Sequence, residues 1–296
     1  MQRWPILFMV PAQALLFHQV DQSQAPACPM DSAGPSWGIW IDGKNASEGE
    51  QAYGAAYSKL MRRALLEVYR MQQKHVSTEV AAMRVQHLLH MPFLDKFGGL
   101  FDTKKAPGRN FRRAFECIQR EVPQQFVTSM LQTDIDDVYD VTCLPSKPCR
   151  SPLLPLRHTL EQVFKSYHSK MAKAKLEDEK LRLLASLLKN LALLHPLPDR
   201  NGRSRLLLLQ FELRRLGLAC GTMLFNNNNN IYVDSVSVLA AKIKEGIAMY
   251  NRAVSTGVNP WLGSQRQTFP SSPYAKELSR CYEGHSANRG HGLSIE

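Results

Sequence analysis

None of the six cysteines stands in a Cys-x-x-Cys pair, so the ligand spacing that builds a structural zinc site is missing. Long apolar runs are also scarce. The stretch from Trp4 to Val10 resumes at Ala12, Ala14 and Leu15 to Phe17, but Pro5 and Pro11 interrupt it, and it is too short and broken for a membrane span. No zinc-finger, single-strand-binding or helix-turn-helix signature is found. Negative charge falls short as well: 26 Asp and Glu stand against 37 Lys and Arg, a formal net charge of +11 and a pI near 9.5. Such a balance asks for an anionic partner, whether nucleotide, nucleic acid, acidic protein or membrane surface. The basic residues lie in short scattered clusters such as Arg62-Arg63, Lys104-Lys105, Arg112-Arg113 and Arg214-Arg215. That is the pattern of a solvated surface rather than of a nucleic-acid groove, so nucleic acid is not the expected partner.

The chain has 296 residues, 44% of them hydrophobic, which is ample for a globular core. Residues 1–50 are rich in Pro, Gly, Ser and Gln and read as a targeting or flexible leader. Arg3, the apolar stretch after it and Ala25 as a cleavage site have the layout of a secretory signal. With a signal, the sequon Asn45-Ala46-Ser47 becomes an acceptor for glycosylation; without one, the expected location is cytoplasmic. Cys143 and Cys149 bracket a Pro-rich stretch, Leu144 to Pro148, and two readings stand: a disulfide in an oxidising compartment, or free thiols.

Apolar periodicity predicts an all-α fold. In an N-terminal helical region over 51–141, Leu60, Ala64, Val68 and Met71 form one stripe and Val80, Met83, Val85 and Leu88 another, before Pro92 interrupts. The turn-rich stretch from Phe97 to Gly108 has room for a small β-hairpin flap, and helices resume from Phe111 to Leu131. A Pro-rich linker at 142–156 reads as a domain boundary. Beyond it, Leu160, Val163, Phe164, Tyr167 and Met171 share one helix face, while the mixed charges of Lys173 to Lys180 suit a solvated surface. Leu184, Leu187, Leu188, Leu191 and Leu194 mark a buried helix, and the next helix ends at Gly217, a residue suited to a left-handed C-cap. Asn226 to Asn230 read as a connector. Leu239, Ile243, Ile247 and Tyr250 define one more helix, closing a core domain at 157–258 ahead of a polar, poorly ordered tail at 259–296.

Chemistry concentrates at residues 195–205, His-Pro-Leu-Pro-Asp-Arg-Asn-Gly-Arg-Ser-Arg. His195 lies four residues beyond Leu191 on the buried stripe and can accept a proton. Asp199 offers a hard oxygen ligand for a divalent cation. Asn201-Gly202 can turn the backbone so that its N–H groups converge on an anion, which Arg200, Arg203 and Arg205 would surround with positive charge. Leu206 to Leu209 open a helix directly after the turn, and the N-terminus of a helix favours phosphate.

This pattern resembles the Fic (Fido) family motif, His-x-Phe-x-(Asp/Glu)-Gly-Asn-Gly-Arg-x-x-Arg, set between two helices of an all-α core. His195, Asp199, Asn201, Gly202 and Arg203 fall in register with it, and the resemblance extends over about 155–255. It implies a helical bundle with the active loop between two core helices. It also implies transfer of AMP, or another nucleoside monophosphate, from a nucleoside triphosphate such as ATP to a Ser, Thr or Tyr hydroxyl of a partner protein. In that scheme His195 is the general base and Asp199 binds Mg²⁺. Asn201, Gly202, Arg203, Arg205 and Arg200 are the nucleotide contacts.

Three positions depart from the motif. Leu197 replaces its Phe; Arg200 replaces a glycine whose freedom lets the backbone approach phosphate; and Leu206 occupies the place of the final arginine, with Arg205 one residue earlier. On a helix that shift rotates the side chain by about 100°. Two further readings follow from it, a Fic-fold phosphotransferase and a helical interaction module that has lost turnover. Ser279 to Gly284 matches the family's inhibitory pattern, with Glu283 as the inhibitory glutamate.

Overall fold

The computed structural model describes residues 55–90, 117–135, 156–194, 201–223, 231, 234–256 and 273–286. The leader, the stretch from Phe97 to Gly108, the loop of Asn226 to Asn230, and both Cys143 and Cys149 lie outside them. Among the described residues the regular structure is helical throughout, with no strand, so the fold is all-α to that extent.

The first two apolar stripes belong to two helices. α1 (Ala55–Gln73) stops where His75 takes a left-handed φ of 52°, and the N–H of Val76 reaches back to the carbonyl of Met71 at 3.2 Å. α2 (Thr78–His90) begins at once, its start capped by the Ser77 hydroxyl, which accepts from the N–H of Val80 at 3.4 Å. Ala64, Val68, Met71 and Val85 are buried as the stripes require, but Val80 is not: at 48% exposed it lies on the outer face, and Ala81 and Ala82 take the inner one. The side chains of Leu60, Met83 and Leu88 lie outside the described set.

A helical turn at 117–121 leads to Pro123, whose fixed φ of −55° starts α3 (Gln124–Leu131). α4 (Leu156–Met171) buries Leu160, Val163, Phe164, Tyr167 and Met171 as expected, and the stretch after it is exposed over most of its length. α5 (Glu177–Leu194) starts with the Glu179 carboxylate accepting from the N–H groups of Lys175 at 3.0 Å and Leu176 at 3.2 Å. Every residue from Leu183 to Leu194 is buried, so this part of α5 is enclosed on all sides rather than on one stripe.

α6 (Asn201–Arg215) ends as the sequence suggests. Gly217 has φ 64°, and the N–H of Leu218 bonds the carbonyl of Leu213 at 2.9 Å, closing a Schellman-type cap. α7 (Val236–Thr256), capped by Ser235, buries Leu239, Ile243 and Tyr250. α8 (Ala275–Ser286) lies within 259–296, the stretch read as a poorly ordered tail, and its Leu278 and Cys281 are buried in the common core.

α5 and α6 form the centre. α4 and α7 flank α5, while α1 and α2 lie against α6. One apolar core runs from Ala64 to Cys281, and helices on both sides of the 142–156 stretch contribute to it. Cys117 and Cys281 form a disulfide with a Cα–Cα distance of 5.5 Å, and Cys220 is disulfide-bonded too; no cysteine among the described residues is free.

Candidate functional site

The loop from His195 to Arg200 lies between the end of α5 at Leu194 and the start of α6 at Asn201. His195, Asp199 and Arg200 are outside the described residues, so they carry no geometry. The structure describes the two helix ends that hold them. The last turn of α5 is buried, with Leu193 and Leu194 each 1% exposed.

α6 opens with Asn201 and Gly202 in its first turn, followed by Arg203, which is half-buried, and then Ser204 and Arg205, which are 7% and 4% exposed. The Ser204 hydroxyl is enclosed and meets no hydrogen-bond partner among the described residues. No acidic residue stands in this first turn. Cations at the positive end of a helix are unfavourable by themselves, and Arg203 and Arg205 stand in the first two turns. A helix N-terminus, an enclosed hydroxyl and two arginines are the donor types that a phosphate chain takes. Leu206, at 6% exposed, belongs to the core. Arg205 is therefore on a buried part of the helix surface rather than on the solvent face.

What holds α6 in place was not legible from the motif. Glu212, fully buried, accepts from the hydroxyl of Thr78 at 2.7 Å and from that of Tyr167 at 2.6 Å, and pairs with Arg215 at 2.6 Å. Burial and the Glu212 charge push the Tyr167 hydroxyl well above the ordinary tyrosine range. Against burial, the Glu212 charge keeps the Arg215 guanidinium protonated. Arg214 stacks over the Tyr69 ring at 3.6 Å. Gln210 clamps the segment beyond the cap, donating to the carbonyl of Thr222 at 2.8 Å and accepting from its N–H at 3.0 Å. Side chains from α1, α2 and α4 thus anchor the C-terminal half of α6, leaving its N-terminal turn as the end presented to the loop.

Lys189 was also missed. It is fully buried on α5, and its amine donates to the carbonyl of Asp234 at 2.6 Å. Burial pulls its pKa down to about 7 against the opposing pull of Asp234. The Asp234 carboxyl is itself raised by burial, although Lys242 lies 2.6 Å away. A lysine inside an otherwise leucine-rich run was the available signal. Among the described residues no group of His, Cys, Asp and Glu could hold a metal ion, so Asp199 remains the one metal ligand singled out from the sequence. Glu283 falls on α8, although its side chain is outside the described set. Searches against protein-family models and against curated proteins find no match for this chain.

Proposed function

We propose that the chain is a Fic-type transferase that moves AMP, or another nucleoside monophosphate, from a nucleoside triphosphate to a hydroxyl of a partner protein. The observation that carries this reading is the ordered set His195, Asp199, Asn201, Gly202 and Arg203 at the junction of two buried helices, with α6 beginning at Asn201. The enclosed Ser204 hydroxyl and the acid-free first turn of α6 support an anion at this end. In this reading His195 takes the proton of the incoming hydroxyl, whose oxygen bonds to the α-phosphorus as pyrophosphate leaves. The N–H groups of the α6 N-terminus and Arg203 hold phosphate oxygens, and Arg200 and Arg205 add charge. Asp199 is the residue to hold Mg²⁺, which would neutralise phosphate charge when bound.

Incubation with labelled ATP and Mg²⁺ is expected to label protein, and His195→Ala to abolish the label; absence of label from the wild-type chain would sink the reading. Leu206 in the core at the place of the motif's final arginine favours one second reading, a phosphotransferase with a changed nucleotide pose. Intact-mass measurement of modified protein separates AMP, UMP and phosphate directly. A helical interaction module would instead show no Mg²⁺-dependent nucleotide binding by calorimetry.

A further inference from the structure

The bond between Cys117 and Cys281 joins the helical turn at 117–121 to α8 across 164 residues of sequence. Among the described side chains of α8, Leu278 and Cys281 are buried and Ala275 is partly buried against the core. Tyr274, just before the helix, meets Phe126 edge-on at 5.0 Å, and both rings are half-buried. Arg280 pairs with Glu121, but these side chains are 65% and 39% exposed, and an ion pair in water contributes little. Among the described residues α8 forms no extensive contact with another named helix, unlike α1, α2 and α4 to α7. A helix of 12 residues is too short to persist on its own propensity. The covalent bond is the tie between α8 and the turn at 117–121 that a change in redox conditions can break.

We infer that the Cys117–Cys281 disulfide is a redox latch: oxidised, it docks α8 against residues 117–126; reduced, it lets α8 separate while the α5–α6 centre stays folded. The two sulfurs differ in access. Cys117 is half-buried and Cys281 is 2% exposed, so an incoming thiolate reaches the Cys117 sulfur first. A dithiol reductant attacks there, the S–S bond breaks, and Cys281 leaves as a thiolate and takes up a proton. The second thiol of the reductant then displaces Cys117, and the reductant ends as its own disulfide. Release removes the cover that Tyr274 and Leu278 give to this end of the core. Glu283 lies on the same helix and travels with it, but the latch depends neither on that residue nor on nucleotide transfer.

Hydrogen exchange of the full-length chain, read by peptide mass spectrometry alongside alkylation of free thiols, tests the inference. In the oxidised protein, Cys117 and Cys281 resist alkylation and α8 amides are protected. Dithiothreitol is expected to expose both thiols and to speed exchange across 275–281 by about tenfold or more, with α5 and α6 unchanged. Because dithiothreitol also reduces the Cys220 bond, Cys281→Ser without reductant provides a second arm, expected to give the same local release. Oxidised glutathione should restore protection in the wild type and not in Cys281→Ser. Three results would overturn the latch: α8 still protected after both thiols are exposed, α5 and α6 losing protection together with α8, or both cysteines alkylated before any reductant is added.

Discussion

Glu212 shows how one side chain organises the region behind the candidate loop. A carboxylate with no exposed surface is costly unless its oxygens are fully engaged, and here two hydroxyls and a guanidinium engage them. Removing it strands all three partners, so Glu212→Ala is expected to lower stability by about 3 kcal/mol. Glu212→Gln keeps an acceptor but loses the charge, and should cost about half as much. Chemical denaturation checks the pair, with Asp178→Ala as a control, because the Asp178–Lys244 pair is exposed and its loss should leave the midpoint unmoved. A cost for Glu212→Ala no larger than the control would mean that the network is incidental. None of this was visible in the run from Leu206 to Leu216, because the hydroxyl partners, Thr78 and Tyr167, lie 134 and 45 residues away. The motif residues were visible for the opposite reason: base, acid, turn and cations sit within eleven consecutive positions.

At the scale of elements, the helices were readable where burial is one-sided. The stripes on α4 and α7 matched the structure because each presents one face to the core. The reading failed for Val80, where small alanines fill a tight inner face, and for α8, where too few apolar residues bury to give a period. The turn between α1 and α2 carries no glycine signal in the sequence, because its left-handed residue is His75. α1 and α6 end in the same way, with a backbone bond reaching five residues back from the position after the left-handed residue. At Gly217 that conformation is free of Cβ strain; at the exposed His75 it is not. Gly217→Ala should therefore cost about 1 kcal/mol, and His75→Gly should shift stability by a smaller amount in the favourable direction. Thermal unfolding of the two variants decides it: equal losses from both would show that the caps are not set by this backbone conformation.

Across the whole molecule, the shared core and the placement of α6 among α1, α2 and α5 depend on contacts between distant segments, which periodicity cannot order. The pH dependence of stability is likewise a property of the assembled fold, because Lys189 has its lowered pKa only when α5 and the segment before α7 enclose it. In the folded protein the Lys189 amine titrates at about 7, against 10.5 for an ordinary lysine. Between those values the unfolded chain binds the extra proton, so stability rises with pH. The gain from pH 7 to pH 9 should be about 2 kcal/mol, less than the full one-proton slope because the folded amine is still half-protonated at the start. Above pH 10 the direction reverses, since burial raises the Tyr69 and Tyr167 hydroxyls and the unfolded chain then loses protons first. A stability maximum is thus expected between pH 9 and 10. Urea unfolding at pH 7 and pH 9 should show the gain in the wild type and not in Lys189→Met, which retains the volume of the side chain without the titrating amine. A wild-type midpoint that stays level or falls between pH 7 and pH 9 would mean that the amine is charged inside the fold, held by the carbonyl of Asp234 and the carboxylate beside it.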